Sequence, residues 1–174
     1  MSPRSETVAR ARALCGGALG PRASRLSRRL EPDAPLTFED VAAAPDWILW
    51  SAAARHDLAR AAGVAACAPA LRRTIDGRAF RILAQVVGPE RLDALLAAPA
   101  VGDGEPHGDL PGSLEGLAAV GAAALRAEIA DRPALARRLA TLLPQPATTI
   151  EPTLARAACA QARQWAAMDG EARS

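Results

Sequence analysis

Tyrosine and lysine are absent from this chain of 174 residues, and aromatic side chains make up only 3% of it. Strands draw on aromatic and β-branched residues, yet Ile, Val, Phe and Trp are sparse here and never alternate in blocks. That argues against a β-rich fold. The three cysteines, Cys15, Cys67 and Cys159, are odd in number and far apart, with no CxxC pair or Cys/His spacing that suits zinc. They read as small buried apolar residues in a reducing compartment. No apolar run approaches the roughly 20 residues that span a bilayer. Gly16, Gly17 and Gly20 interrupt the short apolar stretch near the N-terminus, so no signal peptide is expected. A cytoplasmic protein follows as the expectation.

What the chain has instead is alanine, about a quarter of the residues, together with abundant leucine. Both are strong helix formers. Hydrophobic residues are 50% and charged residues 23%, a globular profile with room for one core and no need of disulfide or metal. The expected fold is all-α: a single compact domain of about seven short-to-medium helices. The net charge is only +2, and every cation is an arginine or a histidine. The charge is uneven. Residues 1–35 hold seven arginines (4, 10, 12, 22, 25, 28 and 29) against Glu6, Glu31 and Asp33, a net of +4. They form a basic segment, expected to be partly mobile, ahead of a helical domain over 36–170.

Helical periodicity and punctuation divide that domain. Thr37 and Asp40 have the spacing of a capping box. Behind Asp46, Trp47, Trp50, Ala54, Leu58 and Ala61 recur at helical spacing and predict a central helix that Gly63 loosens. Pro69 is expected to open a new short helix, and Asp76-Gly77 to mark a turn. Phe80, Leu83, Ala84 and Val87 then share one face, with Arg78, Arg81 and Gln85 opposite. Gly88-Pro89 breaks that helix and starts the next, with Leu92, Leu95 and Leu96 inward. Residues 99–112 form a Gly/Pro/Asp linker without periodicity. Ser113, Asp131-Arg132-Pro133 and the region Thr149–Pro152 each announce a further helix.

No catalytic or metal constellation is legible. His56 and His107 stand in no ligand pattern, the serines lack a GxSxG context, and GDGEPHGD has neither a phosphate-loop nor an EF-hand order. No cofactor is expected, and the chain does not read as an enzyme. Two features suit binding. Trp47 and Trp50 are either core side chains or interface anchors. Arg72, Arg73, Arg78 and Arg81 are either a solvated face or a patch that meets a partner, and Arg suits bidentate recognition of carboxylates. A helical nucleic-acid-binding regulator using the Arg-rich segments is the alternative, although the small net charge speaks against it.

Residues 58–99 resemble the SctK-type (YscK-like) accessory proteins of type III secretion systems. The likeness rests on Leu58 to Gly63, Ala68 and Ala70, then Leu71-Arg72-Arg73, and a following helix over Ile82 to Glu90. It resumes over residues 117–145, with Arg138, Leu139, Leu143 and Pro144 at the family's places. Residues 1–45 match poorly. The resemblance implies a cytosolic, non-enzymatic adaptor of the sorting platform. Such a subunit bridges the cytosolic domain of the inner-membrane ring protein and the pod (C-ring) protein, and meets the membrane only through these partners.

Overall fold

The computed structural model describes residues 8–10, 37–73, 76–98, 110–146 and 149–172, the last three of these by backbone alone. Among them there is no strand, and the fold is all-α as expected. The residues group into two compact units, 1–55 with 129–142 and 56–128 with 143–174. Most of the basic segment 1–35 and of the linker 99–112 lies outside the described residues.

The first unit contains α1 (Phe38–Ala42), a 3-10 turn (Asp46–Leu49) and α6 (Pro133–Ala140). A helix as short as α1 is marginal without its ends satisfied. Thr37 supplies the cap: its hydroxyl accepts from the Asp40 N–H at 3.1 Å while its own N–H donates to the Asp40 carboxylate at 2.9 Å. The Asp40 carboxyl is held below its ordinary value of 3.8 by these Thr37 bonds, with Arg132 at 3.9 Å adding a smaller pull. Val41, Ala44, Trp47, Ile48, Ile129, Leu135 and Leu139 are buried in this unit, and α1 packs on α6. Arg10, from the basic segment, pairs with Asp46 and donates to the Ala42 carbonyl at 3.0 Å.

The continuous helix expected from Asp46 onward is not what forms. Trp50 is extended, with φ −73° and ψ 160°, and separates the 3-10 turn from α2 (Ala52–Leu71). The reason is which side chain caps. Asp46 makes no cap hydrogen bond, whereas the Ser51 hydroxyl accepts from the Ala54 N–H at 3.1 Å. Helical spacing of the two tryptophans is therefore shared between two elements. Pro69 opens no new helix either; α2 runs through it. So near the C-terminal end of α2, its missing N–H removes only one backbone bond.

The second unit holds most of α2 with α3 (Gly77–Val87), α4 (Pro89–Ala97), α5 (Leu114–Ala127) and α7 (Pro152–Ala172). Asp76 caps α3, accepting from the N–H groups of Arg78 (2.9 Å) and Ala79 (3.1 Å). Gly88, at φ +86°, joins α3 to α4, a backbone setting that favours glycine, and Pro89 then opens α4. Ser113 caps α5 through the Gly116 N–H at 3.0 Å. Glu151 caps α7 through Thr153 and Leu154, both at 2.8 Å. Leu71, Leu83, Val87, Leu92, Leu117 and Trp165 belong to one buried cluster, and α5 packs along α7.

Gly63, expected to loosen α2, does the reverse. A Cβ there would meet the Leu117 carbonyl carbon at 2.9 Å, and one on Gly121 would stand 2.7 Å from the Gly63 nitrogen. The Leu117 and Ala59 carbonyl oxygens lie closer still to these two positions. The backbones of α2 and α5 thus touch through Ala59, Gly63, Leu117 and Gly121. Each carbonyl faces the other helix's glycine, the arrangement in which Cα–H···O contacts form.

The capping carboxylates make stability depend on acid. Backbone N–H bonds hold Glu151 below its ordinary value of 4.5, as Thr37 does for Asp40. A folded-state value below the unfolded one stabilises at neutral pH, and the benefit is lost as pH falls through the folded value. Asp40→Asn and Glu151→Gln are expected to flatten the acid limb of stability below about pH 4. Urea midpoints measured from neutral to acid pH would check this; a limb as steep as the parent's would contradict it.

Candidate functional site

Burial divides the residues singled out by sequence. Trp47 is 1% exposed, a core side chain, and its indole N–H has no hydrogen-bond partner. Trp50 is half-buried, and its carbonyl accepts from Arg55 at 2.5 Å. Both lie in the first unit, whereas all four candidate arginines belong to the second.

Arg72 leaves the candidate surface for a physical reason. Its Nε donates to the Leu96 carbonyl at 3.1 Å, and its Nη2 donates to Leu95 and Ala98, both at 2.6 Å. These are carbonyls at the C-terminal end of α4, which have no partner within the helix. A cation there satisfies them and complements the negative end of the macrodipole. Arg72 fastens the end of α2 to the end of α4 and is a structural residue.

Arg73, Arg78 and Arg81 remain exposed, and among the described residues no hydrogen bond or ion pair holds their side chains. Arg78 and Arg81 lie one turn apart on α3, with exposed Gln85 on the same face. The opposite face of α3 buries Ala79, Leu83 and Val87, so core packing fixes which way the arginines turn. Half-buried Ile82 and Val86 flank them and pack partly against the core. Arg73 follows the end of α2, three residues before the Asp76 cap.

Many other arginines face inward. Arg91 grips Asp169 with two bonds of 3.1 and 2.6 Å, tying α4 to α7. Arg163 grips Glu128 at 2.9 and 2.6 Å, tying α7 to the end of α5. Arg126 donates to the Pro144 carbonyl at 3.2 Å, and Arg55 to the carbonyls of Ile48 in the 3-10 turn and of Trp50 after it. Sequence spacing offered no sign of the Arg91–Asp169 and Arg163–Glu128 pairs, because the partners stand 78 and 35 residues apart.

Other chemistry-bearing residues have structural settings. Glu128 belongs to the Arg163 pair, Asp40 to the capping box, and His56 is half-buried on α2. His107 and Cys15 lie outside the described residues. Among the described residues no group of three or more His, Cys, Asp or Glu side chains is placed to hold a metal ion. No helix there is long and apolar enough to cross a membrane. Burial pushes the thiols of Cys67 and Cys159 up to about 12, and Glu128 adds to the effect at Cys159. The reactive species is the thiolate. In a Cys15→Ser background, Ellman's reagent at mildly alkaline pH should therefore label neither thiol in the native protein and both in guanidinium. Rapid labelling of the native form would show that these side chains are accessible.

Compared with protein-family models, with curated proteins and with solved structures, the chain finds no match.

Proposed function

We propose that the protein is a non-enzymatic adaptor that docks other proteins through the arginine face of α3. The observation that carries this reading is a contrast in side-chain use. Arg55, Arg72, Arg91 and Arg163 are spent on internal carbonyls and carboxylates, whereas Arg73, Arg78 and Arg81 are held out unpaired beside a packed helix. A guanidinium fork on a rigid element is suited to a partner's carboxylates, and such contacts chiefly set association rate and specificity.

The resemblance over residues 58–99 and 117–145 gives the reading its finer form. There the protein serves a type III secretion sorting platform, bridging the inner-membrane ring protein and the pod protein at the cytosolic face of the inner membrane. Pull-down of the tagged chain from its native host, with identification by mass spectrometry, tests both levels. Recovery of the ring or pod protein is expected. It should fall at least about tenfold, a loss of roughly 1.4 kcal/mol, when Arg73, Arg78 and Arg81 are all changed to Glu. If a folded sample recovers neither protein, the secretion assignment fails. If recovery is unaffected by the triple change, the docking face lies elsewhere.

A further inference from the structure

We infer that the occupant of the α3 face is an acidic segment of a partner protein, bound through its carboxylates; this rests on the adaptor reading and names the chemistry of its partner. The face is cationic: Arg78, Arg81 and nearby Arg73 are exposed and, among the described residues, have no hydrogen bond or ion pair, and Asp76, next to them in sequence, is already engaged by two backbone N–H groups. The placement of Arg78 works against the helix that carries it. It stands in the first turn of α3, where the macrodipole favours anions and disfavours cations. Other arginines near a helix N-terminus have internal partners there: Arg91 of α4 pairs with Asp169, Arg132 at the N-cap of α6 lies 3.9 Å from Asp40, and Arg55 in the first turn of α2 donates to the Trp50 carbonyl. A cation at the unfavourable end that makes no internal contact is a local inconsistency of the kind functional sites retain. A docked carboxylate removes it, meeting the guanidinium groups of Arg78 and Arg81 together and offsetting the unfavourable position of Arg78.

Charge complementarity selects protein over nucleic acid as the occupant. Duplex binding takes its affinity from many phosphate contacts and a broadly basic surface. Here the cations are three, the net charge of the chain is +2, and half-buried apolar Ile82 and Val86 lie beside the α3 pair. Such a mixed face matches an acidic amphipathic segment.

Fluorescence anisotropy with the full chain tests this. The probes are a labelled helical peptide carrying Glu at i, i+4 spacing beside Leu, the same peptide with Gln for Glu, and a short DNA duplex. The Glu peptide should bind, and the Gln peptide should bind at least about tenfold more weakly. Arg78→Gln with Arg81→Gln should weaken the Glu peptide by a similar factor while Tm stays unchanged or rises. That last readout separates docking from a structural role, because loss of a structural arginine lowers Tm. Failure of the Glu peptide to bind, equal binding of the two peptides, a lowered Tm, or displacement of the Glu peptide by duplex at physiological salt would each overturn the inference. The pull-down above is read independently, so an adaptor with another docking chemistry would still be recognised.

Discussion

Gly121→Ala is expected to destabilise the second unit by about 3 kcal/mol, the upper part of the range for overpacking. Exposed Gly→Ala changes inside helices ordinarily stabilise, since alanine is the better helix former by up to ~1 kcal/mol. Here the sign reverses. The added methyl would lie 2.7 Å from both the Ala59 carbonyl carbon and the Gly63 nitrogen. These are backbone atoms and cannot turn aside as a flexible side chain can, so α2 and α5 must separate. Separation opens the cluster that contains Val64 and Leu117 and forfeits packing there. Gly63→Ala should act in the same direction and less severely, with its nearest non-oxygen contacts at 2.9 and 3.3 Å. Gly77→Ala is the control: nothing lies within 4 Å of its added methyl, and it should be neutral or mildly stabilising. Urea denaturation of the three variants measures all of this. Gly121→Ala at or above parental stability would show that the two helices do not touch through their backbones.

Arg72→Ala should lose about 2 kcal/mol, within the range for hydrogen bonds made by a charged group. Three carbonyls at the end of α4, those of Leu95, Leu96 and Ala98, lose their donor together. Water can reach the more exposed of them, which keeps the effect below the sum of three bonds. Arg72→Lys should recover only part of the loss, because an ammonium lacks the planar fork that reaches two positions from one side chain. The adjacent pair Arg72-Arg73 thus separates cleanly: Arg73→Glu should leave the urea midpoint within the spread of surface substitutions, about 0.5 kcal/mol. Equal effects at the two positions would place both in the fold or both on the surface. The contrast also guards the docking experiments, since a charge reversal at Arg72 would mimic loss of binding by unfolding.

Most helices were legible because their signals are short-range. The Thr37–Asp40 box, Ser113 and the Gly88-Pro89 junction all act within four residues of the backbone they organise. The face of α3 was legible too, with Leu83 and Val87 inward and Arg78, Arg81 and Gln85 outward. Where expectation and structure part, a competing local choice decided. Ser51, not Asp46, caps α2, and that places Trp47 in a separate buried turn.

By composition and periodicity alone, then, this chain is determined to be helical, and its caps, its breaks and most of its inward faces are written in neighbouring residues. Tertiary structure decided the rest. Arg72 and Arg73 are identical in sequence terms, and only the arrival of the end of α4 makes one a cap and leaves the other exposed. Arg91 finds its carboxylate 78 residues away, and Gly63 and Gly121 matter because two helices cross where they stand. Such roles depend on which surfaces meet after the chain has folded, and a residue's neighbours in sequence carry no record of that meeting.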